Sequence, residues 1–426
     1  MATDIISELK WRGLVHQMTD ETTLASWLMA KPRTVYAGFD PTADSLHVGS
    51  LLPLVMLRRF QLAGHRPIAV VGGATGMIGD PSGKSAERNL LSREQLEVNL
   101  RGIESQIRKL LVCDGPLGAI VVNNIDWTAS MSCVEFLRDI GKNVPIAVML
   151  AKDSVRSRLA GESGMSYTEF SYMLLQAYDF VHLHRTYQCE MQIGGSDQWG
   201  NITAGIDLAR RMDGATLQGL TCPLLTKADG SKMGKTESGT VWLDAQRTSP
   251  FAFYQYWINV ADEDAGKCLR FLTDCPREEI EALDRSRGAE PQARASQQRL
   301  AESLTVLIHG PSGLAKAQMA TQVLFGAEID QLSDSDLLQI FADVPSAVAS
   351  WAELDQGQLT LVDGLVRAGL VGSKNEARRA IGEGSVAINN RKSDDAVHVL
   401  SRRDLASETT IVLRRGKKKY ALLKFQ

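Results

Sequence analysis

Short runs of β-branched and small apolar residues recur between residues 34 and 225, each closing on glycine, Asx or polar residues and leading into a segment with helical apolar spacing. The pattern predicts strands at TVYAGF (34–39), IAVVGG (68–73), AIVVNN (119–124) and EMQIGG (190–195). Strands alternating with helices imply an α/β fold, a Rossmann-like doubly wound parallel sheet. Helix punctuation agrees. Ser92 with Gln95, and Ser166 with Glu169, have capping-box spacing; Gly64 and Gly141 stand where helices would end; Pro250 follows Ser249 as a first helical residue.

After residue 249 glycine thins out and helical periodicity continues to about 325, which predicts an α-helical domain. A polar, irregular stretch containing Pro345 and Gly357 reads as a linker over 343–359. Two short helices (360–369 and 373–382) should follow. Then come SVAINNRK, where Asn389-Asn390 can take the positive φ of a hairpin turn, and two strand-like runs, TIVLRR and KYALLKF. The expected division is therefore 1–225 α/β, 226–342 loop and helical domain, 343–359 linker, and 360–426 a small α+β domain, with no internal repeat.

A chain of 426 residues has room for two or three such units, the largest with a sizeable core. No apolar run comes near the roughly 18 residues of a membrane span, and the start MATDIISELK lacks a signal-peptide pattern, so a cytoplasmic protein is expected. Cys113, Cys133, Cys189, Cys222, Cys268 and Cys275 form no C-x-x-C pair and no zinc-spaced Cys/His group; neither disulfides nor a metal site are expected. Charge changes the picture more. Residues 360–426 carry 14 Lys+Arg against 7 Asp+Glu, a net +7, whereas the whole chain is −3. A basic tail on an acidic body points to a polyanionic partner at one end, a solvated basic face being the plainer alternative.

The candidate chemistry sits at predicted strand ends, where open α/β sheets bind ligands. FDPTADSLHVGS (39–50) places Thr42, His47 and Gly49 at the opening of a helix, a ready anion site. GGATGMIGDPSGKS (72–85) invites a phosphate-loop reading but has Ile78 where that motif needs glycine. It reads instead as a glycine-rich strand end with Asp80 as a ligand carboxylate, or a plain turn. Tyr172, Gln176 and Asp179 share one face of the helix predicted within 167–180, a polar stripe that suggests a pocket wall if it is not simply solvated. GGSDQWGN (194–201) offers a carboxylate and amide suited to sugar hydroxyls. KADGSKMGKTESG (227–239) holds Lys232 and Lys235 in a polar loop that could close on a polyphosphate, though K-x-x-K alone says little.

Taken in order, HVGS (47–50) resembles the HIGH signature of class I aminoacyl-tRNA synthetases and KMGKT (232–236) their KMSKS loop. YAGFDPTADSLHVG, GGATGMIGDPSGK, EFSYMLLQAYDF and IGGSDQWGNITAG together resemble the bacterial tyrosyl-tRNA synthetases, and residues 360–426 are similar to their S4-like RNA-binding domain, so the resemblance spans essentially the whole chain. It implies that L-tyrosine is activated with ATP to tyrosyl-adenylate and passed to the 3′ end of tRNA(Tyr). The phenol would lie between Tyr36 and Asp179, and the ammonium near Asp80, Tyr172 and Gln176. Asp40, Gly195, Asp197 and Gln198 would line the ribose and the reacting carboxylate, with Gly38, Gly49 and Met233 also against ATP. Thr42 and His47 would donate to the departing pyrophosphate, and Lys84, Arg88, Lys232 and Lys235 would be mobile cations. Ser50 stands where the signature has His or Asn, a shorter reach toward the ribose. ATP would enter as its Mg²⁺ complex, with no tightly bound cofactor. A homodimer is implied as well, with MSCVEFLRDIGKNV (131–144) a candidate interface segment or an ordinary surface helix. A tryptophanyl-tRNA synthetase shares these signatures; Tyr36 with Asp179 suits an O–H better than an indole. A non-catalytic RNA-binding relative would keep the fold without needing His47, Lys232 and Lys235.

Overall fold

β-Branched and aromatic residues favour an extended TVYAGF, and it forms strand β2 (Thr34–Phe39) with Val35, Tyr36, Ala37 and Phe39 buried. Beside it in one sheet run β1 (Gln17–Met18), β3 (Arg66–Val71), β4 (Ile120–Asn123), β5 (Cys189–Gly195) and β6 (Gln218–Cys222), in the order β1-β6-β5-β2-β3-β4. All neighbours are parallel except β1, which runs antiparallel to β6. Strand order reverses between β2 and β5, so the crevice at their carboxyl ends is the switch point of a doubly wound sheet. The computed structural model describes residues 4–82, 91–160, 164–236, 239–329, 332–341, 344–416 and 419–426.

Helices α1 (Val48–Leu62), α2 (Arg93–Leu110), α3 (Tyr167–Tyr187) and α4 (Trp199–Asp213) cross between the strands, and α5 (Asp262–Leu272) follows the sheet. Ser92 and Ser166 accept from the N–H groups of Gln95 and Glu169, each at 3.2 Å, the serine half of the expected capping boxes. Glu169 turns instead to a buried ion pair with Arg158. Gly64 ends α1 at φ +92 as expected, but Gly141 stays right-handed inside a run of π and 3₁₀ turns over 136–143, so the 131–144 segment is not one regular helix. Two-residue strands β7 (Lys235–Thr236) and β8 (Gly239–Thr240) pair within the lysine loop. No helix among the described residues is long and apolar enough to cross a membrane.

The chain divides into residues 1–248 with 256–308, and residues 249–255 with 309–426. The predicted helical region is helical, yet most of it, up to Ile308, belongs with the sheet unit. The break falls where Gly310 (φ +74) and Pro311 interrupt the helix Ala295–Leu324. In the second unit β9 (Ser346–Ala349), β10 (Val386–Ile388), β11 (Arg391–Lys392), β12 (Thr410–Arg415) and β13 (Lys419–Phe425) form a sheet in the order β11-β10-β12-β13-β9. Strand β9 and the helix Trp351–Asp355 occupy the stretch read as a linker; β9 pairs parallel with β13. Helices α6 (Leu361–Arg367) and α7 (Lys374–Gly382) cover one face, and Ile411, Leu413, Ala421, Leu423 and Phe425 point to it. Val412, Tyr420 and Leu422 alternate to the other, packing on Val323, Ile329, Leu337 and Phe341.

Candidate active site

A cavity of about 300 Å³ opens at the carboxyl ends of β2 and β5. Fourteen of the sequence-predicted residues line it: Tyr36, Gly38, Asp40, Thr42, His47, Gly49, Ser50, Asp80, Tyr172, Gln176, Asp179, Gly195, Asp197 and Gln198. Gly38 is bounded by nothing within 4 Å of the position a Cβ would take, so its glycine leaves room for a ligand rather than for packing. At Gly195 a Cβ would crowd the Asp197 carboxylate at 2.7 Å.

The polar stripe of α3 finds protein partners, not the empty neighbourhood that would have needed a ligand to satisfy it. Tyr172 donates to Asp40 at 2.9 Å, and the other Asp40 oxygen accepts from Thr75 at 2.7 Å. Asn124 donates to Thr75 and to Asp179, each at 3.0 Å, and Trp127 donates to Asp179 at 2.8 Å. Burial pushes the Asp179 carboxyl up to about 7, opposed by those two hydrogen bonds. Tyr36, whose ring meets Phe180 edge-on, keeps a buried hydroxyl with no hydrogen-bond partner. Gln192, its neighbour across β2 and β5, likewise has an unpartnered buried Oε1. Those two atoms are the cavity's orphaned groups among the described residues.

A second relay runs along the other wall. Asp80 accepts from Gln198 at 2.7 Å and from the N–H of Ser82 at 2.9 Å. Gln198 accepts from Gln176 at 3.2 Å, while Asn201 donates to both amide oxygens, at 2.9 Å to Gln176 and 3.2 Å to Gln198. Burial and the nearby Asp80 raise the Asp197 carboxyl; its backbone hydrogen bond, Gln198 and, least of the three, Lys232 draw it back down. The charge of Lys232 is therefore felt at the pocket, although its side chain is exposed.

His47 caps α1: its Nδ1 accepts from the N–H of Gly49 at 2.9 Å, which leaves the ring proton on Nε2. A Cβ on Gly49 would meet the His47 ring at 2.7 Å, so glycine there is what allows the cap. The lysine loop folds against this helix start, with Val48 N–H donating to Val241 at 3.1 Å and His47 bridging to Trp242. Lys232 and Lys235 do not line the cavity, and Met233 is buried with its sulfur 3.4 Å from that of Cys268. Lys84 and Arg88 lie outside the described residues. Sequence reasoning missed Thr75, Asn124, Trp127, Gln192 and Asn201. Asn124 carried a strand-end signal, Gln192 is an uncharged polar residue within a strand, and Asn201 closes the GGSDQWGN stretch; Trp127 had none.

A parallel sheet whose switch point holds a helix-capping histidine, with a lysine loop packed on the same helix, defines the class. The family model for class I tRNA synthetases (W and Y) matches residues 29–326, and that for the tyrosine–tRNA ligase SYY-like C-terminal domain matches 336–423. The chain is 57% identical to the tyrosine–tRNA ligase of Rhodopirellula baltica over 99% of its own length and 96% of the relative's. It is 51% identical to that of Roseiflexus castenholzii over 99% of both. A solved C-terminally truncated mitochondrial tyrosyl-tRNA synthetase of Aspergillus nidulans superposes with TM-score 0.69 at 30% identity, covering 76% of this chain and 94% of that one. A tryptophanyl-tRNA synthetase of Encephalitozoon cuniculi, at 14% identity and TM-score 0.53 over 78% of this chain and 90% of that one, shares the fold alone. The chain belongs to the class I tRNA synthetases and, within them, to the tyrosine–tRNA ligases.

Proposed function

We propose that the cavity at the β2–β5 switch point is where this tyrosine–tRNA ligase activates L-tyrosine for transfer to tRNA(Tyr). One observation carries the assignment of the amino acid: the buried, unpartnered Tyr36 hydroxyl stands in the same cavity wall as the Asp179 carboxylate. A phenol entering between them accepts from Tyr36 and donates to Asp179, whereas an unsubstituted ring would leave the Tyr36 hydroxyl without a partner. Asp80, Tyr172 and Gln176 surround the ammonium. Asp40, Asp197 and Gln198 line the ribose and the reacting carboxylate, with Gly38, Gly49 and Gly195 letting the nucleotide close on the backbone and Ser50 short of the ribose.

The tyrosine carboxylate attacks the α-phosphorus of ATP in line, the bond to the bridging oxygen breaks, and pyrophosphate leaves with its charge. No covalent link to the protein and no strong base are needed; positioning and donors matched to the growing charge suffice. Thr42, the Nε2–H of His47, and Lys232 and Lys235 supply those donors, with Met233 anchoring the loop between the lysines. Mg²⁺ enters with ATP as part of the substrate. A ribose hydroxyl of tRNA(Tyr) then attacks the tyrosyl carbonyl and AMP departs. Exposed Val134, Leu137, Ile146, Val148 and Leu150 support a second copy of the chain as a partner.

Pyrophosphate exchange into ATP, run without tRNA and with tyrosine, phenylalanine or tryptophan offered separately, tests the reading. Exchange is expected with tyrosine alone. Exchange with tryptophan would overturn the roles of Tyr36 and Asp179, and none with any of the three would leave a non-catalytic RNA-binding relative.

A further inference from the structure

The lysine loop is gripped at its centre by a residue outside the cavity. Gly234, between Met233 and Lys235, is buried, and its N–H donates to the hydroxyl of Tyr256 at 2.8 Å. Gly234 takes φ +87, and a Cβ there would lie 2.8 Å from Cβ of Val48, the residue after His47. Its carbonyl accepts from Val241 at 2.9 Å, and the Val241 carbonyl in turn accepts from Val48. The root of the loop is tied to α5, where Lys267 donates to the Thr226 carbonyl at 2.9 Å and Asp264 accepts from the Ala228 N–H at 2.7 Å. The backbone of the loop is thus fixed against the start of α1 while the Lys232 and Lys235 side chains remain exposed.

We propose that Tyr256 is a positioning residue for the adenylation step, its hydroxyl fixing the Met233–Gly234 peptide and thereby the reach of both lysines toward the departing pyrophosphate. Lys232 and Lys235 branch from either side of that peptide, so its orientation sets both reaches at once. Tyr256 is not among the residues that line the cavity. Its loss should therefore be felt on the phosphate side alone. A buried N–H deprived of its acceptor seeks another, and the glycine that carries it has no side chain to hold the peptide in place.

The inference rests on the role given above to Lys232 and Lys235, so Lys232→Ala and Lys235→Ala are measured first by tyrosine-dependent pyrophosphate exchange. If neither slows exchange, the reading of the lysines fails and this one with it. If either does, Tyr256→Phe is compared in the wild-type background and in that lysine variant. In the wild-type background Tyr256→Phe should lower the maximal exchange rate by about 5- to 50-fold. The KM for tyrosine should stay within about twofold, since no tyrosine contact is touched. In the lysine variant the same substitution should cost less than about twofold, because the group it positions is already gone. An equal loss in both backgrounds, a raised tyrosine KM, or no loss in the wild-type background would overturn the role of Tyr256 while leaving that of the lysines intact.

Discussion

Removing the Tyr36 hydroxyl separates function from stability, because that oxygen is buried without a protein partner. Tyr36→Phe should lower kcat/KM for tyrosine activation by about tenfold while leaving the thermal midpoint unchanged or slightly raised. Exchange kinetics beside calorimetry check both signs. Asp179 gives a second test. Folded, it holds its proton to about pH 7; its ordinary value is 3.8. Between those values the folded state binds more protons than the unfolded chain, so stability should fall as pH rises from 4 to 7, by up to about 4 kcal/mol in all. Asp179→Asn should flatten that slope in urea titrations run across the window. For wild type the KM for tyrosine should rise below about pH 7, since a phenol donates best to the charged carboxylate. Tyr36, in the middle of β2, came only from the resemblance, whereas Asp179 could be found from the chain because it completes a helical stripe. Trp127, which holds Asp179, could not: its importance arises from a meeting across 52 residues that no local pattern records.

Among the elements, the Asn389-Asn390 turn links local signal to distant consequence. Both residues take the expected positive φ, 49° and 67°. What the sequence did not disclose is that the turn is buried: Asn390 donates to the carbonyls of Val323 and Ala327, both at 2.7 Å, and accepts from Tyr420. Asn390→Ala loses those bonds and forces alanine into a left-handed backbone, and should destabilise the second unit by about 2–4 kcal/mol. Asn390→Gly relieves the backbone and should recover about 1 kcal/mol of that. Denaturant unfolding of the two variants distinguishes the contributions. Strand β6 went unread because QGLTC mixes glycine and polar residues in a strand whose burial comes from its neighbours. Strand β9 went unread because SAVA is short and follows a proline, and only β13 makes it a strand.

At the scale of the whole molecule, charge was legible where geometry was not. The net +7 of residues 360–426 predicts that affinity for tRNA(Tyr) falls on the order of a hundredfold between 50 and 200 mM salt, while tRNA-independent exchange barely changes. Filter binding alongside exchange over the same salt series checks the pair. A Gly-Pro pair marks a local helix break, yet the unit boundary at Gly310-Pro311 was not legible, since helical periodicity resumes beyond it and only the packing of each side shows where one unit ends.

The register of β2 against β5 has a consequence for how the enzyme is made. Tyr36 pairs with Gln192, so the two halves of the amino-acid pocket leave the ribosome more than 150 residues apart. Closing so long a loop is slow, and it precedes any reward from the contacts it allows. A nascent chain carries its histidine-capped helix early but has no tyrosine pocket until β5 emerges and finds β2. On the proposed placing of the pocket, fragments that end before β5 should spend no ATP on tyrosine.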